Sequence, residues 1–284
     1  MAAMCRLLGY CVNAAELSLK DILGEADTAD FRRLSEIHKD GWGASLKGFA
    51  GDGASQLSDD RTYHTTVAAC VDPVFSSLAD IPAQSALWHF RWGSPGIAGV
   101  MENLQPFALD GIEFIHNGHI VDADNVNILD NPDFEVDRDI VESISIHSDS
   151  AIFFAVIVGY VRQDMNLSDA VLHAIAKLRE TYPTSSYNCI VRDAEEMVAV
   201  EAGRGGKTLP EIIEFYNDYG WTGQGDDYSA MRFRDIRDDK NHGLGVLAAS
   251  SGFRQNADDG WREMGNNTML VASRRTGRYF LRSL

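Results

Sequence analysis

The sequence predicts an α+β fold built from packed layers, and three observations lead there. Short strand-like segments come in runs instead of alternating singly with helices. The two longest helical patterns, at residues 149–161 and 167–182, follow one another directly. No repeat, linker or change of composition marks a boundary, so residues 1–284 read as a single domain. Hydrophobic residues make up 45% of the chain, enough to build a sizeable core.

Each element has its own local reason. Residues 5–12 alternate loosely between apolar and other side chains and read as a first strand, which would hold the start of the chain firmly. Residues 17–38 mix helix and loop. Asp40-Gly41-Trp42-Gly43 is a turn leading into a short strand at 43–46, and residues 48–60, rich in Gly, Ser and Asp, read as a surface loop. A short helix is expected at 72–78. Residues 85–92 form a strand, SALWHFRW, ended by Gly93-Ser94-Pro95-Gly96. Another strand at 111–116 runs into Asn117-Gly118, a common hairpin signal. Pro132 forbids a helix interior in the loop at 125–136. Residues 149–161 read as a buried helix, with Ser148 as N-cap and Asp149 favourably placed in the first turn. In 167–182, Ala170, Val171, Ala174, Ile175 and Leu178 share one face, with Ser168 and Asp169 at the start and Pro183 past the end. Strands follow at 187–191 and 197–201. Residues 203–241 are polar and irregular and read as a lid or insertion. A strand at 244–250 and a hairpin of 268–273 with 279–281, around Arg275-Thr276-Gly277, finish the chain.

The charge balance excludes some functions. With 25 basic against 42 acidic residues the net charge is −17, so nucleic-acid binding and attachment to an anionic membrane surface are not expected. Cys5, Cys11, Cys70 and Cys189 contain no C-x-x-C pair and suggest neither a disulfide framework nor zinc. Of these, Cys11, Cys70 and Cys189 read as buried core residues. The histidines form no i, i+4 pair and no Cys/His cluster, so no metal and no cofactor are expected. Residues 1–10 lack an apolar signal-peptide core, and the longest apolar run, 151–158, falls far short of the roughly 20 residues that span a bilayer. A reducing cytoplasm is the expected compartment.

Four features admit a chemical reading beside a structural one. Cys5 follows Met4, and translation from Met4 with loss of that residue would leave a thiol and a free α-amine on one carbon. An α-amine titrates at roughly 7.7–8.0, which suits a general base, and a thiol beside its own base is a self-contained nucleophile. The alternative is a small buried hydrophobe in a strand. Arg91 ends a strand just before a small-residue turn that includes Ser94. Its fork matches a carboxylate, and the alternative is a surface salt bridge. The Asn117 amide and the Gly118 N–H can converge on one oxyanion, or simply form a hairpin turn. Asp149 can hold a substrate ammonium, or only complement a helix dipole.

Taken in order, MCRLLGY, HFRWGSPG, ENLQPF, HNGHI and SDS resemble the class II glutamine amidotransferases, which are N-terminal-nucleophile hydrolases. The resemblance covers essentially the whole chain. HKDGWG early, and Asp259-Gly260-Trp261-Arg262-Glu263 late, resemble the stand-alone branch that includes the γ-glutamyl hydrolase of ergothioneine biosynthesis. The resemblance implies a four-layer αββα sandwich and a set of roles. Cys5 is the nucleophile, with its own α-amine as base, and Asn117 and Gly118 form the oxyanion hole. Arg91, assisted by Ser94, clamps the α-carboxylate of a glutamyl group, Asp149 holds its α-ammonium, and Trp92 lines the pocket. Ser94 and Pro95 stand where several members have threonine and histidine. The histidines take the structural reading, although His38 and His116 lie near motifs and could border the site. The implied activity is cleavage of the γ-glutamyl amide of glutamine, or of a γ-glutamyl conjugate, through a thioester. The alternatives are a glutaminase subunit delivering ammonia to a separate synthase, and a non-catalytic γ-glutamyl or amino-acid sensor with a blocked Cys5. The partner is thus a small molecule. A synthase partner, a homo-oligomer and the identity of the leaving group all stay open.

Overall fold

Alternating strand segments pair into two antiparallel sheets, and the helices cover the sheets' outer faces. The structure is a computed structural model that describes residues 5–13, 15–48, 60–93, 100–144, 148–203 and 207–284. Met1 to Met4, Ser94 and nearly all of the expected loop at 48–60 lie outside the described residues.

The first sheet runs in the order β11 (Arg262–Glu263), β9 (Met231–Arg237), β10 (Gly243–Ser250), β1 (Arg6–Val12), β4 (Ser85–Phe90), β2 (Trp42–Lys47), β3 (Arg61–Thr65). The second runs β13 (Tyr279–Ser283), β12 (Thr268–Ser273), β8 (Glu196–Glu201), β7 (Asn188–Arg192), β6 (Ile112–Asn117), β5 (Phe107–Leu109). Strand periodicity sends alternate side chains to opposite faces, and β1 uses both. Leu8, Tyr10 and Val12 pack against α1 (Leu19–Leu23), α2 (Glu25–Arg33), α3 (Val74–Ala79) and α7 (Pro210–Asp218), while Leu7 and Cys11 face the second sheet. Between them Gly9 lets the sheets approach, because a Cβ there would come within 3.0 Å of both Ile190 and Leu87. On the far side, Phe114, Val191 and Val198 of the second sheet pack on α5 (Asp149–Val161) and α6 (Leu167–Thr181), with α4 (Arg138–Ile144) alongside. Three apolar interfaces therefore separate four layers, and the expected αββα sandwich is what the chain forms.

The central strands and the two long helices fall where the periodicity predicts them. Four readings need correction. Asn117-Gly118 is not a hairpin turn: Asn117 closes β6, whose hairpin partner is β5, joined through Asp110-Gly111 with both residues at positive φ (52° and 78°). The strand pairing on β6's other side, β7, begins only at Asn188. Ser148 occupies the N-cap position of α5 as expected, but its side chain makes no capping hydrogen bond among the described residues, and the segment at 203–241 contains α7 and β9 instead of forming a structureless insertion. Cys70 is only partly buried.

Candidate active site

The register of the first sheet builds one side of the site. Arg6 pairs with Phe90, so Cys5 and Arg91, one step further on, leave the sheet together at the same end. Asn117 closes β6 at the corresponding end of the second sheet, and the Cys5 N–H donates to its Oδ1 at 2.8 Å. A cavity opens here, lined by Cys5, His89, Arg91, Trp92, Gly93, Asn103, Gln105, His116, Gly118, Ser148, Asp149 and Ser150. A larger hollow lies between α4, α5 and α6, but no cysteine, serine or histidine lines it, so chemistry and not size singles out the cavity at Cys5.

Cys5 is buried, and its Sγ points toward the Trp92 carbonyl at 4.0 Å. Burial pushes the thiol up to about 11, an effect that a hydrogen bond from the Trp92 backbone and the nearby Arg91 charge only partly offset. The thiol is therefore protonated at neutral pH, and attack requires proton removal by a base.

The N–H groups of the Asn117 side chain and of Gly118 are positioned by packing. With Asn117 Oδ1 turned toward the Cys5 nitrogen, Nδ2 is left without a hydrogen bond among the described residues, as is the Gly118 N–H. Residue 118 must be glycine, because a Cβ there would collide with the Ser186 carbonyl and the His116 ring. His116 is buried behind it. Its Nε2 faces the Ser186 carbonyl at 3.0 Å, an acceptor only, so Nε2 carries the proton and Nδ1 accepts from the Ser150 hydroxyl at 2.8 Å. Burial lowers the pKa of His116, which keeps it neutral in this role.

Arg91 is only 6% exposed, which removes the surface salt-bridge reading. Its turn is held by Asp40, whose N–H donates to the Arg91 carbonyl at 3.0 Å and whose Oδ2 accepts from Gly93 N–H at 2.8 Å. A Cβ on Gly93 would lie 2.8 Å from the Arg91 Cζ, so the glycine leaves room for the guanidinium. Asp149 is buried and serves two purposes. Its Oδ2 accepts from Ile120 N–H at 3.0 Å and its Oδ1 from Ser150 N–H at 2.8 Å, which pins the chain after Gly118 to the start of α5. Its carboxylate still lines the cavity. Trp92 lies at the rim, edge-on to His38 and packed on Phe215 at 4.2 Å between ring centroids.

The structure thus brings Cys5, Arg91, Trp92, Gly118 and Asp149 into the lining of one cavity, with Asn117 bonded to Cys5 at its edge; Ser94 lies outside the described residues. Sequence reasoning missed His89, whose ring is buried in the cavity with neither nitrogen in hydrogen-bond geometry to any described residue, although the His116 backbone lies nearby. Asn103 and Gln105 also line the cavity, and Gln105 Oε1 accepts from His116 N–H at 2.6 Å. Both belong to ENLQPF, a motif whose individual residues had no assigned role. Among the described residues no group of His, Cys, Asp and Glu is arranged to hold a metal ion.

No family model matches the sequence, and no curated protein does. Solved structures do. A glutamine aminotransferase class-II domain protein from Silicibacter pomeroyi superposes with a TM-score of 0.57 at 15% identity, covering 98% of this chain and 99% of that one. A predicted glutamine amidotransferase from Pseudomonas aeruginosa gives a TM-score of 0.54 at 15% identity, with 97% and 99% covered. The glutamine phosphoribosylpyrophosphate amidotransferase of B. subtilis gives 0.55 at 14% identity, with 98% of this chain matched to 49% of that one, so this chain spans about half of its length. At such identities the likeness is one of fold: the chain shares the four-layer architecture of these glutamine amidotransferase domains.

Proposed function

We propose that the protein is a cysteine-dependent amidohydrolase that cleaves the γ-glutamyl amide of glutamine, or of a γ-glutamyl conjugate, through a γ-glutamyl thioester on Cys5. The observation behind this reading is the convergence of a thiol, a buried cation, a buried carboxylate and two N–H donors, unbonded among the described residues, in and at the edge of one cavity. A γ-glutamyl group presents the complement: a carboxylate for Arg91, an ammonium for Asp149 and a polarisable carbonyl for Asn117 Nδ2 and Gly118 N–H.

In this reading the working chain begins at Cys5. The neutral α-amine takes the thiol proton as Sγ bonds to the amide carbon, and the oxyanion lodges between Asn117 and Gly118. Collapse breaks the C–N bond, the ammonium passes its proton to the departing amine, and the thioester remains. Water then attacks with the α-amine as base, the C–S bond breaks, glutamate leaves and the thiol regains its proton. Ser94, as an assistant to Arg91, and Trp92, as a pocket wall, are part of the same proposal.

A panel of γ-glutamyl amides including free glutamine, assayed for glutamate with protein of verified N-terminus, tests it. Cys5→Ala is expected to abolish glutamate release, and wild-type protein quenched during turnover to gain the mass of one glutamyl group. A Cys5→Ala protein that still releases glutamate would sink the mechanism. One observation favours a second reading, delivery of ammonia to a synthase: the matched region of the B. subtilis amidotransferase is only about half of that chain. Glutamine turnover that rises sharply when a partner is added would favour this second reading.

A further inference from the structure

Behind the nucleophile lies a buried polar group that the mechanism above does not use. Tyr228 comes from the stretch between α7 and β9. Its phenol oxygen sits 3.2 Å from the Cys5 carbonyl oxygen and 3.5 Å from Asn117 Oδ1. Burial raises its pKa well above 10, so the phenol keeps its proton and donates at any working pH. One O–H is thus shared between the residue that attacks and the residue whose amide nitrogen faces the oxyanion.

The ring is itself held in place. The Arg6 guanidinium lies over it, with Cζ 3.6 Å from the centroid, and Nη1 donates to the Tyr228 carbonyl at 3.1 Å. Arg6 also donates from Nη2 to the Tyr216 hydroxyl at 2.9 Å and from Nε to His38 Nε2 at 3.3 Å, while Tyr216 O–H donates to the same His38 nitrogen at 2.8 Å. Arg6 has donors only, so His38 Nε2 must be the unprotonated nitrogen. The residue after the nucleophile is therefore locked to helix α7 and to Tyr228, and Tyr228 reaches back to the nucleophile.

We propose that Tyr228 is a positioning residue: its phenol O–H, aligned by Arg6, fixes the Cys5 backbone relative to Asn117 so that thiol, amine and oxyanion donors keep their mutual geometry. The proposal rests on the reading of Cys5 as nucleophile. Misplacement by about 1 Å costs roughly 100-fold in rate, and a hydrogen bond shared between two acceptors should account for part of that.

Tyr228→Phe keeps the ring over Arg6 and removes only the hydroxyl. It is expected to lower kcat about 10- to 100-fold with KM within about twofold and an unchanged unfolding midpoint. Tyr216→Phe, which touches Arg6 and His38 but neither Cys5 nor Asn117, should lower kcat far less. Arg6→Lys keeps the charge but loses the fork over Tyr228. It should repeat the kcat signature in weaker form, and it serves as the test if Tyr228→Phe fails to fold. Wild-type kcat in Tyr228→Phe, or equal losses in the two tyrosine variants with KM rising in parallel, overturns the proposal. Residual glutamate release by Cys5→Ala would instead overturn the nucleophile assignment beneath it, so the two failures are distinguishable.

Discussion

The space between the two sheets has two polar ends, and they are finished differently. At the end away from Cys5, Arg192 of β7 is buried and donates from Nε to Glu113 at 2.8 Å, from Nη1 to Ser85 Oγ at 2.9 Å, and from Nη2 to the Ser45 carbonyl at 3.0 Å. Glu113 also accepts from Ser45 Oγ at 2.8 Å and pairs with Lys47 at 3.2 Å. Burial alone would raise the Glu113 carboxyl, but Arg192 and Lys47 hold it below its usual range. Nearby, Gln84 and Arg274 bond each other, and Arg274 Nε is the atom left over. At the Cys5 end, Asn117 Nδ2, the Gly118 N–H and both nitrogens of His89 lack partners among the described residues. Buried polar groups are normally satisfied. One end follows that rule except at Arg274 Nε and ties the sheets together, while the other departs from it at several atoms where a substrate would supply the missing partners.

Substitutions can break this contrast from either side. Glu113→Ala leaves the Arg192 guanidinium buried without its carboxylate and is expected to destabilise the fold by about 3–5 kcal/mol. Urea denaturation reads this directly, and KM of the folded fraction should not move. A cost below about 1 kcal/mol would mean that the far end does not tie the sheets. Asn117→Ala works on the other side. It is expected to lower kcat by about 10²- to 10³-fold with a stability loss of only about 1 kcal/mol. If stability falls by as much as for Glu113→Ala while kcat holds, the distinction between the two ends fails.

Legibility in the sequence follows the same division between local and distant. Strand β1 was readable from its loose alternation, helix α5 from a continuous apolar run behind a marked start, and helix α6 from a one-sided apolar period with both ends marked. Strand β9 was hidden. Met231 and Phe233 are buried, but charged residues interleave with them and a polar run surrounds them, so the alternation was absorbed into an expected insertion. Helix α4 follows the Pro132 loop and shows too short an apolar stripe to announce itself. The Asn117-Gly118 error has a definite cause: a dipeptide reports local backbone preference, whereas the partner strand of β6 lies about 70 residues further on. Of the site residues identified by motif, Cys5, Arg91, Trp92, Asn117, Gly118 and Asp149 meet in space, and Ser94 lies outside the described residues. Tyr216 and Tyr228, separated from Arg6 by 210 and 222 residues, leave no local trace at all. The same holds for His89, because lacking a partner is a property of the assembled interior.

His89 gives the smallest effect and the finest test of the comparison. Burial, reinforced by the Arg91 charge, drives its pKa down to about 3, against roughly 6.5 for an exposed histidine. Between those values the unfolded chain binds a proton that the folded chain refuses, so stability rises with pH across the window and is lost as pH falls below about 6.5. His64 and His116 are lowered in the same direction by burial and steepen the dependence. Removing His89 from the sum, as in His89→Leu, should make the loss of unfolding free energy between pH 7 and 5 smaller by about 2 kcal/mol. At pH 7 the variant should also gain about 1 kcal/mol, because an unsatisfied buried polar group is gone. If the open nitrogens serve the bound substrate, that more stable variant will bind it more weakly, and KM will rise. A His89→Leu protein that is more stable with an unchanged KM would mean that this vacancy answers to no ligand, and that the contrast between the two ends rests on Asn117 and Gly118 alone.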